Sequence, residues 1–191
     1  DLSFTKAGTY TLKAQSLELA SETSSAFEIG VALPDHLSFV SAPPSEVVAG
    51  EIWPALEVQL VDAYENRVPG YFESSVMLLE QTSGSADLEG TLQIVAEAGV
   101  SRFGDLVYEK AEDISFDVRC VCTGHEPIEV RALENVRMRV VPNRARHFLI
   151  TAASTRPVAG EPVDIQVTVL DAYGNTATGY TGLVRFRTTD L

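Results

Sequence analysis

Two stretches carry the same side chains at the same spacing. They are VDAYENRVPGYFE at residues 61–73 and LDAYGNTATGYTG at 170–182. Each sets a carboxylate (Asp62, Asp171), a phenol (Tyr64, Tyr173) and an amide (Asn66, Asn175) close together. Three chemistries are open to such a set. The first is turn-building, because Asn side chains hydrogen-bond nearby backbone and Gly174 permits a left-handed residue. The second is a calcium site. Calcium takes about six to eight oxygens, and each copy offers one carboxylate and one amide, so other loops or an adjacent domain would supply the rest. The third is a protein or carbohydrate contact through Tyr64 and Tyr173.

Two other clusters invite a chemical reading. Arg137, Arg139, Arg144 and Arg146 lie within VRMRVVPNRARHF. Residues 1–133 hold 22 acids and 7 bases, so this basic run stands against an acidic chain. It reads either as a contact for an acidic partner such as a neighbouring domain, or as the outward face of a strand running into a linker. Cys120, Cys122 and His125 form Cys-x-Cys-x-x-His. That fragment supplies at most three ligands, and no second cluster completes a structural zinc site. On a strand the two thiols share a face, and the alternation from Ile114 points them inward as small free hydrophobes.

Catalytic signatures are missing. His36, His125 and His147 fall in different parts of the chain, none beside a nucleophile. No Gly-rich phosphate loop, His-Glu-x-x-His or Gly-x-Ser-x-Gly occurs, so a non-enzyme is expected and no cofactor is implied. A net charge of −13 argues against nucleic acid, whose phosphates require a basic field. No stretch is long and apolar enough for a membrane-spanning helix.

The elements that would position these residues are strands. Leu56, Val58 and Leu60 alternate with polar residues, as do Ile114, Phe116 and Val118, and Val163, Ile165, Val167 and Val169. A period of two means half-buried strands. Turn signals recur between them: APPSE, DAYEN, TSGSAD, AEAG, KAED and CTGHEP. The chain also repeats itself. Residues 36–51 align without a gap with 146–161, 56–71 with 165–180, and 1–15 with 105–119. These define a unit of roughly 110 residues. The expected organisation is 1–33 as the end of one unit, 34–142 as a complete unit and 143–191 as the beginning of another. The Pro-containing joints LPD (33–35) and VPN (141–143) fall at equivalent places. The expected fold class is all-β: tandem immunoglobulin-like antiparallel β-sandwiches.

PVAGEPVDIQVTVLDAYGNTATGYTGLVRFRTTD resembles the first half, and DLSFTKAGTYTLKAQ the second half, of the immunoglobulin-like repeats of large bacterial-type surface proteins. These are the invasin-like and filamin-like tandem repeats. GVSRFGDLVYEK (99–110) is similar to the stretch just before the second. The resemblance implies a non-catalytic, extracellular or cell-surface segment serving as a stalk or spacer, its partners being neighbouring immunoglobulin-like domains of the same or an adjacent chain. An adhesin-type module for protein or carbohydrate and a repeating subunit of a filament or sheath are the alternatives. The end pieces read as an excerpt from a longer repetitive protein. If they joined between molecules, the stretch equivalent to residues 83–104, expected to be middle strands, would be lacking. The central unit departs from its neighbours at Glu65 for Gly174, Glu112 for Gly8 and Ile114 for Tyr10. The two glycine positions are expected to have positive φ, and Tyr10 to make a tyrosine corner.

Overall fold

A computed structural model describes residues 2–72, 74–124, 130–154 and 156–187. Among them there is no helix. The alternating segments are strands, as a half-buried period of two requires. The first four are short: β1 (Gly8–Tyr10), β2 (Lys13–Ala14), β3 (Glu22–Thr23) and β4 (Phe27–Ile29). The next eight are β5 (Pro34–Phe39), β6 (Glu46–Val48), β7 (Leu56–Asp62), β8 (Ser74–Ser83), β9 (Gln93–Val95), β10 (Val100–Phe103), β11 (Asp113–Thr123) and β12 (Leu133–Val141). The last two are β13 (His147–Ala152) and β14 (Ile165–Leu170).

Strands β5–β12 form two sheets. One has the order β10-β7-β5 and the other β6-β12-β11-β8-β9. All pairings are antiparallel except β12 with β6. Their inner faces share one core. Leu37, Leu56, Val58, Leu60 and Phe103 come from the first sheet; Met77, Leu79, Ile114, Phe116, Val118, Met138 and Val140 come from the second. Fully burying such a side chain contributes roughly 1.5–3 kcal/mol, so this shared core is what holds the sheets face to face. The arrangement is all-β and consistent with a β-sandwich. Outside it, among the described residues, lie two-stranded sheets: β1 with β4, β2 with β3 and β13 with β14.

The structure corrects four expectations. Cys120 and Cys122 are not free; they are bonded to each other within β11. Alternation does keep both half-buried on the inward face, against the core. His125 lies outside the described residues, so the Cys-x-Cys-x-x-His reading ends at the disulfide. The ungapped match of 36–51 to 146–161 slips by one residue in the strand. Leu37 pairs with Leu60 and Phe148 with Val169, so Phe148, not His147, occupies the place of Leu37. The proline joints are not equivalent: Pro34 is already inside β5, whereas Pro142 precedes β13. Finally, Glu65 has φ 62° as its alignment with Gly174 (φ 83°) requires, but Glu112 is not at positive φ.

Glu112 has a different use. Its carboxylate accepts hydrogen bonds from the Tyr108 hydroxyl (2.6 Å), the Ser85 amide and the Ser85 hydroxyl. In the first piece the Tyr10 hydroxyl donates to the Lys6 carbonyl (2.9 Å), the corner expected of it. Tyr108 aligns with Phe4 and Ile114 with Tyr10. The bonded tyrosine hydroxyl thus stands at different aligned positions in the two stretches, half-buried at Tyr10 and buried at Tyr108, where Glu112 is its acceptor.

Candidate functional site

The two Asp-Ala-Tyr-x-Asn turns close on themselves through the aspartate. Asp62 ends β7, and its Oδ1 accepts from the amides of Tyr64 and Asn66, both at 2.9 Å. Asp171 follows β14, and its Oδ1 accepts from the amides of Tyr173 and Asn175, again at 2.9 Å. Each Asn side chain donates back to its aspartate. The turn reading is thus shown for both copies, with Glu65 and Gly174 supplying the left-handed residue.

Both turns also reach backward along the chain. Asn66 Nδ2 donates to the Thr5 carbonyl, and Asn66 Oδ1 accepts from the Ala7 amide. Asn175 Nδ2 donates to the Glu109 carbonyl, and Asn175 Oδ1 accepts from the Ala111 amide. The remaining aspartate oxygen takes an amide from the connecting segment: Ala32 to Asp62 and Asn143 to Asp171. Residues 5 and 7 align with 109 and 111, and Ala32 with Asn143 in the corrected register. The same bonds, between the same atoms, therefore fasten 2–33 to the central sheets and the central sheets to 143–187. An asparagine amide presents a donor and an acceptor side by side. It pairs with one residue's carbonyl and the next-but-one's amide as a neighbouring strand would.

Each clasp is built on a buried carboxylate. Asp62 and Asp171 are fully buried and Asn175 nearly so. Burial disfavours the Asp62 carboxylate, but hydrogen bonds from the Asn66 side chain and three backbone amides outweigh it and lower its pKa from 3.8 to about 2. Asp171 is lowered by the same balance of burial against Asn175 and backbone donors. The same donors answer the calcium question. The Asp62 oxygens meet N–H groups of Tyr64, Asn66 (backbone and side chain) and Ala32. A carboxylate has about four lone-pair positions, and a cation would have to displace these donors. No group of three or more His, Cys, Asp or Glu side chains is placed to hold a metal among the described residues.

The tyrosines play unequal parts. Tyr173 lies against the turn at Gly50, and its hydroxyl donates to the Gly50 carbonyl at 3.3 Å. A Cβ on Gly50 would sit 1.9 Å from the ring, and Gly50 has φ 72°, so glycine is required there twice over. Tyr64 is 51% exposed and its ring meets no such turn. Instead Lys6 Nζ donates to the Tyr64 carbonyl at 2.6 Å. Arg137 and Arg139 stand on the outward face of β12, while Met138 and Val140 between and beyond them face the core. Arg144 and Arg146 are exposed in the segment leading into β13. Arg139 and Arg144 line two open clefts beside the second clasp. The four arginines do not converge on one site.

The sequence did not point to the backbone partners in residues 5–7, 109–111, 32 and 143. The Lys-Ala pair shared by 6–7 and 110–111 was the available signal, since it marks the place where both clasps land. Nor did it point to His36. Its Nδ1 lies 2.8 Å from Asp35 Oδ2 and its Nε2 2.8 Å from Glu65, and Arg131 pairs with the same Asp35 oxygen. In the corrected register His147 is its counterpart, with Arg146 and Gly174 in place of Asp35 and Glu65. The carboxylate that replaces a turn glycine thus has a partner that its glycine-bearing copy lacks. No family model matches the sequence, and no curated protein is similar to it.

Proposed function

We propose that this chain is a non-catalytic segment of tandem immunoglobulin-like repeats, extracellular or on a cell surface, acting as a stiff spacer. The observation that carries this reading is the duplicated clasp. A flexible linker needs no buried Asp–Asn pair, and an independent pair of domains needs no bonds repeated atom for atom at consecutive joints. Direct hydrogen bonds to a buried, ionised carboxylate are worth more than neutral ones, and each joint has one. The disulfide between Cys120 and Cys122 supports an oxidising compartment. The test is small-angle scattering at high dilution on the native chain and on the double variant N66A/N175A. A spacer gives one rigid elongated particle, and the variant gives an ensemble of bent forms. If the native chain already scatters as flexibly linked bodies, the spacer reading is wrong.

A further inference from the structure

We propose that the Cys120–Cys122 bond is a thiol–disulfide exchange site, opened by a small thiol while the sandwich stays folded. A disulfide stabilises a fold mainly by closing a loop in the unfolded chain, and its benefit grows with the length of that loop. Here the two cysteines are two positions apart, with only Val121 between them. The bond joins residues that the backbone already keeps close, so as a staple it contributes little.

The strand around the bond favours the open form. An extended strand sets residues i and i+2 about 6.4–6.8 Å apart. The Cα atoms of Cys120 and Cys122 lie 5.5 Å apart, so the closed bond draws β11 in by roughly 1 Å. Pairing with β8 pulls the other way. Cys120 stands opposite Met77, Val121 opposite Val76 and Cys122 opposite Ser75, in unbroken register. A bond that its own backbone opposes is more readily reduced than a relaxed one. The core side chains of the same strands, Phe116, Val118, Met77 and Leu79, lie outside the bonded pair, so opening it leaves the packing between the sheets in place.

The surroundings decide which sulfur is attacked. On its other edge β11 has a partner only as far as Val118, opposite Leu133. Among the described residues, 119–123 are therefore held along the β8 edge alone. Both cysteines are half-buried. On their face, Gly124 two residues beyond Cys122 is exposed, and Val118 two residues before Cys120 is fully buried. A thiolate attacks a disulfide sulfur in line with the bond to the leaving sulfur. A bond between residues i and i+2 runs along the strand, so the line onto Cys122 Sγ comes from the exposed rim. The line onto Cys120 Sγ comes through the Val118 side of the core. Cys122 is therefore the attacked sulfur and Cys120 the leaving one. The incoming thiolate bonds to Cys122 Sγ, and the electron pair of the broken S–S bond leaves on Cys120 Sγ, which takes up a proton. A second small thiolate then attacks the first, which releases Cys122 as a thiol and a small-molecule disulfide. Two small thiols are oxidised, one protein disulfide is reduced, and the protons given up by the reagents end on the two cysteines. Where thiols are scarce the bond stays closed, so the site is compatible with the spacer reading and does not depend on it.

The experiment places the 191-residue chain in millimolar glutathione without denaturant. Free thiols are blocked with an alkylating reagent, and the intact mass is measured. Most molecules should gain two alkyl groups, at a rate proportional to the glutathione concentration, while the near-ultraviolet circular dichroism of the core stays native. In C120S, oxidised glutathione should cap Cys122, and in C122S it should cap Cys120 more slowly. Circular dichroism checks that both variants are folded. A bond that resists glutathione until the core unfolds, opening at a rate independent of glutathione, or faster capping of Cys120 than of Cys122 overturns the proposal. None of these outcomes touches the clasps that the scattering test reads, so the spacer reading can stand when this one fails.

Discussion

Replacing Asn175 by alanine removes the Glu109 and Ala111 bonds together, along with the side-chain bond to Asp171. Asp171 keeps its three backbone donors, so the turn itself persists. The two bonds that cross the joint are worth roughly 0.5–1.5 kcal/mol each, and leaving a buried partner unsatisfied costs about 1–3 kcal/mol. The joint should therefore weaken by about 1–3 kcal/mol. At about 1.4 kcal/mol per factor of ten, the Ala111 amide should exchange with solvent roughly 10- to 100-fold faster. Amides of the central core, such as Val118, should keep native protection, because no core contact is touched. The variant N175D is the sharper control. It keeps an acceptor for Ala111 but sets a second carboxylate where the amide now lies 2.9 Å from Asp171. Its loss should exceed that of N175A and shrink in acid. Hydrogen exchange followed by mass spectrometry or NMR reads all of these amides. Unchanged exchange at Ala111, or equal losses at Ala111 and Val118, would refute the idea that Asn175 acts as a clasp between units.

Acid should open the first clasp. The folded pKa of Asp62, about 2, lies below the ordinary 3.8, so its contribution is fully present above pH 4 or so and fades as the pH falls toward 2. That contribution is roughly 2 kcal/mol, and faster exchange of the Ala7 and Ala32 amides below pH 4 would report its loss. Glu65→Gly removes a left-handed non-glycine residue that costs about 1 kcal/mol and gives up only an exposed contact to His36. The melting temperature should rise slightly, and a fall of several degrees would mean that the His36 contact matters more than its exposure suggests. Millimolar calcium should leave the melting curve in place, since a cation bound only by the folded state must raise the midpoint. A rise would show that the aspartate donors can be displaced. Replacing both Cys120 and Cys122 by serine should preserve the fold and cost no more than about 2 kcal/mol, because the loop closed is very short; denaturant titration measures it.

The strands were legible because one face is buried and the other wet. Val58 and Leu60, or Ile114 and Phe116, state that fact residue by residue. The alignment of 56–71 with 165–180 made the left-handed residue at Glu65 legible. The register of β5 was not, because the step from Leu37 to Val48 is 11 residues while that from Phe148 to Val158 is 10, a one-residue difference beyond the strand that an ungapped alignment passes over. The cysteines misled because side-chain alternation gives their face and not their bonding. Glu112 misled because a glycine position was carried across, whereas Glu112 serves as acceptor for Tyr108 and is not at positive φ. The clasp was half-visible. Asp62 and Asn66 were recognised as turn chemistry, but their second set of partners is backbone far away in sequence, and backbone carries no residue type to read.

The most direct test is a distance across the second joint. Spin labels on cysteines placed at Asp87 and Thr151, both exposed, would span it, and the native cysteines are already bonded to each other. Pulsed dipolar spectroscopy on a dilute sample should give one narrow distance distribution in the native background and a broad one with N175A. A broad distribution in the native background would contradict the claim that the Asp-Ala-Tyr-x-Asn turns fix one unit against the next.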